Sequence, residues 1–460
     1  MNIKDRITKI ILKNNFEYYF LLAVGLLLAI WTISETIALR NILMTILSIA
    51  SLLMFISKKN INIYVKQIST YDVLIYMMIL VAVYFIGYHA FSYNSFDLSE
   101  MNELVSVFIR STASLIIGFG AGYFLLLKPR LTAYLGFGIF ILFIYELTID
   151  IKVLNEASLA VSALDYSKSI YLGKINAVFS GGILIALIIS RVFDCYKKQQ
   201  QVYLKELVYW LGVPVLLFYI YYYHLRSNTG VLTLFLLAII LLSSIIYISI
   251  YRSIKFSINF NKWNFIVVFF YFLLFTAMFW IILNSAFWKN IIENASVGFD
   301  TKTYKNWINT SKFGPPDAPS GRPIPMNAYE RAAYASIGID MIIQNPIGHG
   351  RSSEPLKRAL LLNYNDTEIA SSNAISTHSA FLDIALTYGV ITSASIFIIF
   401  FAVLIKSVAN IDQLKTSAPI WIAIIMLIML SIGEASRKHF LEIIFFCLSF
   451  IFVLSKPSNK

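Results

Sequence analysis

The chain has 460 residues, of which 58% are hydrophobic and 13% are charged, and its mean hydropathy is +0.72. These values exclude an ordinary soluble globular domain, in which about 25% of residues are charged. The net charge of +12 comes mostly from basic residues that flank apolar segments, so it does not indicate nucleic-acid binding.

Apolar segments long enough to cross a bilayer recur along the chain. A membrane-spanning helix needs about 20 such residues, and the alternating pattern of an outer-membrane β-barrel is missing. The sequence therefore predicts an all-α polytopic membrane protein with about twelve transmembrane helices. The predicted spans are 18–34, 40–57, 72–91, 104–127, 131–150, 175–193, 206–223, 231–250, 264–284, 379–405, 418–434 and 440–455.

The basic residues predict the orientation, because Lys and Arg concentrate in short cytoplasmic loops. If the N-terminal segment MNIKDRITKIILK is cytoplasmic, the SKK at 57–59, the KPR at 128–130 and the KPSNK tail lie on the same side. Both termini are therefore predicted to be cytoplasmic.

One predicted connection, residues 285–377, is much longer than the others and lies on the outer face. Loops of this length are usually functional or disordered. The predicted organisation is an N-terminal transmembrane region at 1–284 with helices 1–9, a partly helical outer loop at 285–377, and a C-terminal transmembrane region at 378–460 with helices 10–12.

The middle of this loop, NAYERAAYASIGIDMIIQNPIGHG, has the signals of a helix. Asn327 and Glu330 have the spacing of a capping pair, and Pro346 with the following glycines ends the apolar pattern. A helix beginning near Tyr329 would place Arg331 in its first turn, where the helix dipole disfavours a cation. Arg331 is thus a candidate anion-binding residue, and an exposed surface arginine is the alternative.

A second candidate arginine lies at the outer end of predicted helix 7. Arg226, in LRSNTGVLTL, is the only basic residue of a short outer loop. A lone arginine at this position either contacts lipid head groups or binds an anion. Two arginines from separate outer segments suit a diphosphate, because the guanidinium group presents a planar pair of donors to such oxygens.

A histidine lies where the outer loop meets predicted helix 10. In STHSAFLDIALTYG, His378 precedes a helix expected to start near Ser379, with Ser376 and Thr377 available as caps. The positive end of the helix disfavours the imidazolium form, and a general base must be neutral. The sequence therefore makes His378 a candidate base; a histidine that only marks the membrane interface is the alternative.

The last outer loop contains SRKH at 436–439. Arg437 and His439 are candidate anion-binding residues, and a solvated basic turn is at least an equal alternative. No H-E-x-x-H or paired-cysteine motif occurs, so neither a metal nor a cofactor is predicted.

These motifs together resemble the O-antigen ligase and O-antigen polymerase superfamily over most of residues 200–455. The resemblance lies in Arg226 at the start of a helix, in Arg331 followed by a helix and Pro-x-Gly-x-Gly, and in HSAFLDIALTYG after the long loop. It implies a bacterial inner-membrane glycosyltransferase. Its donor would be a glycan on undecaprenyl pyrophosphate, held by Arg226 and Arg331. His378 would activate the acceptor, and Arg437 and His439 would be candidate contacts for phosphates of the acceptor.

The resemblance leaves more than one activity open. A ligase of lipopolysaccharide biosynthesis would transfer the glycan to the lipid A core oligosaccharide, and the basic outer residues favour this anionic acceptor. A polymerase would use a second lipid-linked repeat unit. A lipid-linked sugar flippase or a transporter is a third possibility, but the two halves of the chain differ and the deep charges, Arg110 and Glu146, are few.

Overall fold

The computed structural model describes residues 16–31, 33, 36–56, 70–92, 98–157, 174–198, 286–350, 353–364, 374–433 and 438–456. These residues form helices and connecting turns, and their only β-type pairing is the isolated bridge between Asp317 and Pro323. The prediction of an all-α chain is confirmed.

Ten helices lie outside the long loop in this described part of the chain. Short 3₁₀ turns join some of them, such as Pro129–Leu131. The predicted spans 206–223, 231–250 and 264–284, together with Arg226, lie outside the described residues. The helices are α1 (Phe16–Ile30), α2 (Ile37–Ile56), α3 (Thr70–Ser92), α4 (Leu98–Leu127), α5 (Thr132–Ala157) and α6 (Lys174–Lys198), then α11 (Ala380–Tyr388), α12 (Val390–Ala409), α13 (Ala418–Ile432) and α14 (Lys438–Leu454).

Four of these helices contain segments that are long and apolar enough to cross a membrane. The segments are Ile37–Met54, Asp72–Phe91, Asn102–Leu127 and Val390–Ala409. Shorter apolar helical stretches lie in α1, α6, α13 and α14. The chain therefore has the character of a membrane protein, while the number of twelve spans and the positions of the termini remain predictions.

Glycines allow close packing where these helices cross. A Cβ atom on Gly122 of α4 would lie 2.9 Å from the carbonyl oxygen of Phe450 in α14. Gly25 and Gly138 similarly bring the backbones of α1 and α5 together. Membrane helices use small residues in this way because surrounding lipid is as apolar as the helices, so close packing has to drive their association.

The long loop contains a folded helical segment. Its elements are α7 (Ala286–Phe299), a 3₁₀ turn (Lys305–Asn309), α8 (Thr310–Phe313), α9 (Met326–Gln344) and α10 (Pro355–Asn363). We call this segment the loop unit. Its buried apolar residues form a core separate from that of the long apolar helices: Val297, Trp307, Ala318, Ile324, Tyr329, Ala333, Tyr334, Ile337, Met341, Leu356, Ala359, Leu360, Ala374 and, from α11, Leu386.

The structure corrects the predicted start of the loop helix. Helix α9 begins at Met326, with Pro325 as its N-cap, so Asn327 lies inside the helix and Arg331 in its second turn. Pro325 is extended, and its carbonyl accepts hydrogen bonds from the amides of Ala328 and Tyr329. The fixed backbone of proline just before the helix replaces the expected side-chain cap.

Predicted span 379–405 is also corrected, because it forms two helices that meet at Gly389, where φ is +87°. The turn Pro346–Gly350, which we call the docking turn, packs against this break. His349 N donates to Leu386 O at 2.6 Å, Gly350 N to Thr387 O at 2.9 Å, and Val390 N to Pro346 O at 2.9 Å. Backbone groups left over at the helix break are thus paired by the loop unit.

Candidate active site

His378 has an unusual backbone conformation at the entry to α11. Its φ is +59°, and it is the only non-glycine residue with a positive φ among the residues that the structure describes. A left-handed conformation at such a residue costs about 1–2 kcal/mol and persists only where the surroundings stabilise it. The helix cap is Ser379, so the predicted capping by Ser376 or Thr377 is wrong.

The stabilising contacts come from Asp383, one turn into α11. Its carboxylate is 2% exposed and accepts hydrogen bonds from the amide and the hydroxyl of Thr377, both at 2.8 Å. The amide of Ser379 in turn donates to Thr377 Oγ1 at 3.2 Å. Thr377 directly, and Ser379 through Thr377, are therefore tied to one buried carboxylate, and these bonds hold the backbone on both sides of His378.

Helix α9 of the loop unit lies against this segment. The rings of His378 and Tyr334 are stacked, with centroids 6.1 Å apart and an interplanar angle of 18°. Gly338, one turn further along α9, leaves so little room that a Cβ atom there would lie 2.5 Å from Thr377 Cγ2. The loop helix α9 thus packs over the start of α11, the helix that follows His378.

Arg331 lies on the same helix as Tyr334, the residue that stacks on His378. It is partly buried and lies three residues before Tyr334, and residues with that spacing are neighbours on one helix face. Tyr334 is itself buried, which raises its pKa to about 12, so its ring remains a neutral phenol. Its hydroxyl lies 3.5 Å from Thr310 Oγ1, which donates to Glu330 at 2.6 Å.

The docking turn carries a buried histidine that connects the loop unit to the long apolar helices. His349 is 3% exposed, and burial, together with the charges of Arg358 and His89, lowers its pKa below the ordinary value. From the other side, His89 of α3 places Nε2 2.9 Å from the carbonyl oxygen of Ile347. His89 thus joins α3 to the docking turn, and His349 joins the same turn to α11 through its backbone amide.

Two further predicted site residues, Arg226 and Arg437, lie outside the described residues. His439 lies in the first turn of α14, rather than in the predicted loop. In the described part of the chain no three His, Cys, Asp or Glu side chains are grouped as a metal site requires. Metal independence remains a prediction.

Two residues at the site were not predicted from the sequence. Tyr334 could have been found from its spacing of three residues from Arg331, and Asp383 as an acid in the first turn of the helix after His378. Neither signal stands out alone, since tyrosines are common in this chain and acids are common at helix starts.

The described geometry brings His378 and Tyr334 together from segments about forty residues apart in the chain, and Arg331 lies on the helix that carries Tyr334. No protein-family model matches the chain, and no curated protein matches it either.

Proposed function

We propose that the protein is an O-antigen ligase, a glycosyltransferase that moves a glycan from undecaprenyl pyrophosphate to the lipid A core oligosaccharide at the periplasmic face of the bacterial inner membrane. The observation that carries the proposal is the stacking of His378 on Tyr334, at 6.1 Å, on the helix that also holds Arg331. This stacking supports the proposal because it brings the candidate base to the helix that holds the candidate cation, and transfer from a diphosphate needs both groups.

In the proposed step, the acceptor hydroxyl gives its proton to the imidazole of His378 while its oxygen attacks the anomeric carbon of the donor sugar. The bond from that carbon to the diphosphate oxygen breaks, and undecaprenyl diphosphate leaves with the electron pair. Arg331, joined in this proposal by Arg226, stabilises the negative charge on the leaving group. The reaction needs no metal or cofactor, because the proton, the electron pair and the charge are all accounted for by these groups.

The left-handed backbone of His378 supports this role. Non-glycine residues in this conformation are found preferentially at functional sites, where fixed geometry offsets the conformational cost. The Thr377 and Asp383 hydrogen bonds hold the histidine backbone in this conformation, so the imidazole would meet the substrate without first being ordered.

A deletion strain tests the activity. A ligase predicts that lipid-linked polymer accumulates while the lipid A core stays bare. Single repeat units on the core with loss of long chains would instead identify a polymerase.

A transfer assay with reconstituted protein tests the roles of these residues and distinguishes glycan transfer from transport. We expect a new glycosidic bond without an electrochemical gradient, and an activity loss of about 10²–10⁴-fold in His378→Ala. Arg331→Lys should lose nearly as much as Arg331→Ala, because lysine lacks the planar pair of donors. Near wild-type transfer by His378→Ala at equal membrane abundance would refute the proposed role.

A further inference from the structure

A second group of charges lies inside the bundle of long apolar helices, apart from His378. The guanidinium of Arg40 in α2 is 0% exposed, and Glu442 in α14 is likewise 0% exposed. Arg110 in α4 is near both, and its side chain is 17% exposed. The sequence analysis named Arg110 and Glu146 as the deep charges. The structure shows that Arg40 and Glu442 are buried charges as well.

The carboxylate of Glu442 contacts Trp31 and Arg110. Trp31 Nε1 donates to its Oε2 at 2.5 Å, and Arg110 Nε lies 2.9 Å from its Oε1. Arg110 and Glu442 therefore form a close ion pair, but the N–H of Arg110 Nε is not directed at the carboxylate oxygen as a hydrogen bond requires. Arg40 is held beside this pair by a hydrogen bond that its NH1 donates to the carbonyl oxygen of Trp31, at 2.7 Å.

Among the described residues, the cluster has more positive charge and more donors than its partners use. Two guanidinium groups and one carboxylate leave a net charge of +1 in a nearly enclosed position. Nε and NH2 of Arg40 and NH2 of Arg110 are buried and make no hydrogen bond within the described part of the chain. An uncompensated buried charge is strongly unfavourable, and buried donors without acceptors cost about 1–3 kcal/mol each.

The position of the cluster limits what can supply the missing acceptors. Arg40 lies near the start of α2 and Glu442 near the start of α14. Arg110 lies eight residues inside the apolar segment Asn102–Leu127, or about 12 Å from its end at 1.5 Å per residue. The 26-residue segment is about 39 Å long and exceeds the hydrocarbon core of about 30 Å by roughly 4–5 Å at each end, which leaves Arg110 about 7–8 Å below the head groups. An arginine side chain extends far enough to reach that layer.

We propose that the Arg40–Arg110–Glu442 cluster binds the phosphate group of a membrane lipid. A phosphate offers several acceptor oxygens and negative charge, and guanidinium groups bind such oxygens in pairs. The phosphate approaches Arg110, the partly exposed member, while Arg40 stabilises it from the enclosed side. This inference does not depend on the proposed transfer activity, and it uses none of His378, Arg331 or Arg226.

Purified full-length protein in detergent tests the proposal by thermal shift and native mass spectrometry. The probes are a polyprenyl phosphate, phosphatidylglycerol and inorganic diphosphate. We expect both techniques to show binding of at least one lipid, with at least ~10-fold weaker apparent affinity in Arg40→Gln and Arg110→Gln. A response to the lipids alone identifies a lipid site, whereas equal response to inorganic diphosphate overturns the lipid assignment.

Matched variants separate binding from folding. Arg322→Gln removes an arginine of the loop unit that pairs with Glu293 and Asn294, and it should leave lipid binding unchanged. Arg110→Lys retains the charge but not the planar donors, and should weaken binding even if Arg40→Gln fails to fold. Glu442→Gln raises the cluster charge to +2 and should retain or strengthen binding. Unchanged lipid binding in Arg110→Lys and Arg110→Gln, or its loss in Glu442→Gln alone, would refute the site.

Discussion

Replacing Gly348 by alanine tests whether the docking turn controls the candidate site. Gly348 has a φ of +102°, and a Cβ atom there would lie 2.6 Å from both Gly389 N and Thr387 O. These are backbone atoms at the helix break, so they cannot move aside as a flexible side chain would. The variant therefore has two costs, one conformational and one steric.

The magnitudes follow from the two terms. A non-glycine residue at positive φ costs about 1–2 kcal/mol, and overpacking of this kind costs about 1–3 kcal/mol. The sum is about 2–5 kcal/mol. At about 1.4 kcal/mol per tenfold, it shifts the equilibrium between the docked and the undocked turn by at least ~30-fold. Amide hydrogen exchange at His349, Gly350 and Val390 should accelerate by that factor, because their N–H groups make the bonds across the break.

Gly314→Ala is the matched control. Gly314 also has positive φ, +68°, but a Cβ atom there meets nothing within 4 Å. The control should have the conformational cost alone and leave exchange at the three reporter amides unchanged. In the proposed enzyme, Gly348→Ala should also lose most glycan transfer, since α9 would no longer be fixed over His378. Unchanged exchange at these amides in Gly348→Ala would refute the reasoning, whatever its effect on activity.

Three further predictions concern residues around the site. Asp383→Ala should reduce transfer strongly, and it should lower the free energy of unfolding by about 1–3 kcal/mol because the buried Thr377 amide is left unpaired. Asp383→Asn retains an acceptor oxygen and should retain most activity. Equal activity loss in both variants would contradict a hydrogen-bonding role. Tyr334→Phe should preserve the stacking on His378 and near wild-type transfer, and Tyr334→Ala should not; equal rates for both in the reconstituted assay would show that the ring is dispensable. Because burial lowers the pKa of His349 in the folded protein, the unfolded state binds more protons once the pH falls below about 6.5, the ordinary histidine value. Melting temperature should therefore fall with acidification through and below that pH, and His349→Gln should show a shallower fall; superimposable melting profiles between about pH 8 and 5 would contradict this.

The sequence by itself determined the class of the protein and most of its described helices. Apolar segments of sufficient length predict helices because the backbone must pair its own polar groups where water is absent. Helices α2, α3 and α4 accordingly cover the spans predicted at 40–57, 72–91 and 104–127. They end within one residue of the predicted ends and begin two to six residues earlier than predicted. The helix of the loop unit and the position of His378 before a helix were also predictable, since apolar periodicity, proline and glycine act locally, although the predicted capping residues were wrong in both places.

Tertiary structure alone decided how these segments meet. The break at Gly389 arises from pairing with the docking turn about forty residues earlier in the chain, and no local pattern records that contact. The left-handed backbone of His378 depends on Asp383 and Thr377, and its stacking partner Tyr334 comes from another helix. The cluster of Arg40, Arg110 and Glu442 unites three helices that are far apart in sequence. Hydropathy and periodicity report which face of a helix is apolar, but the choice of neighbour depends on complementary packing and on pairing of buried polar groups, which only the folded chain defines.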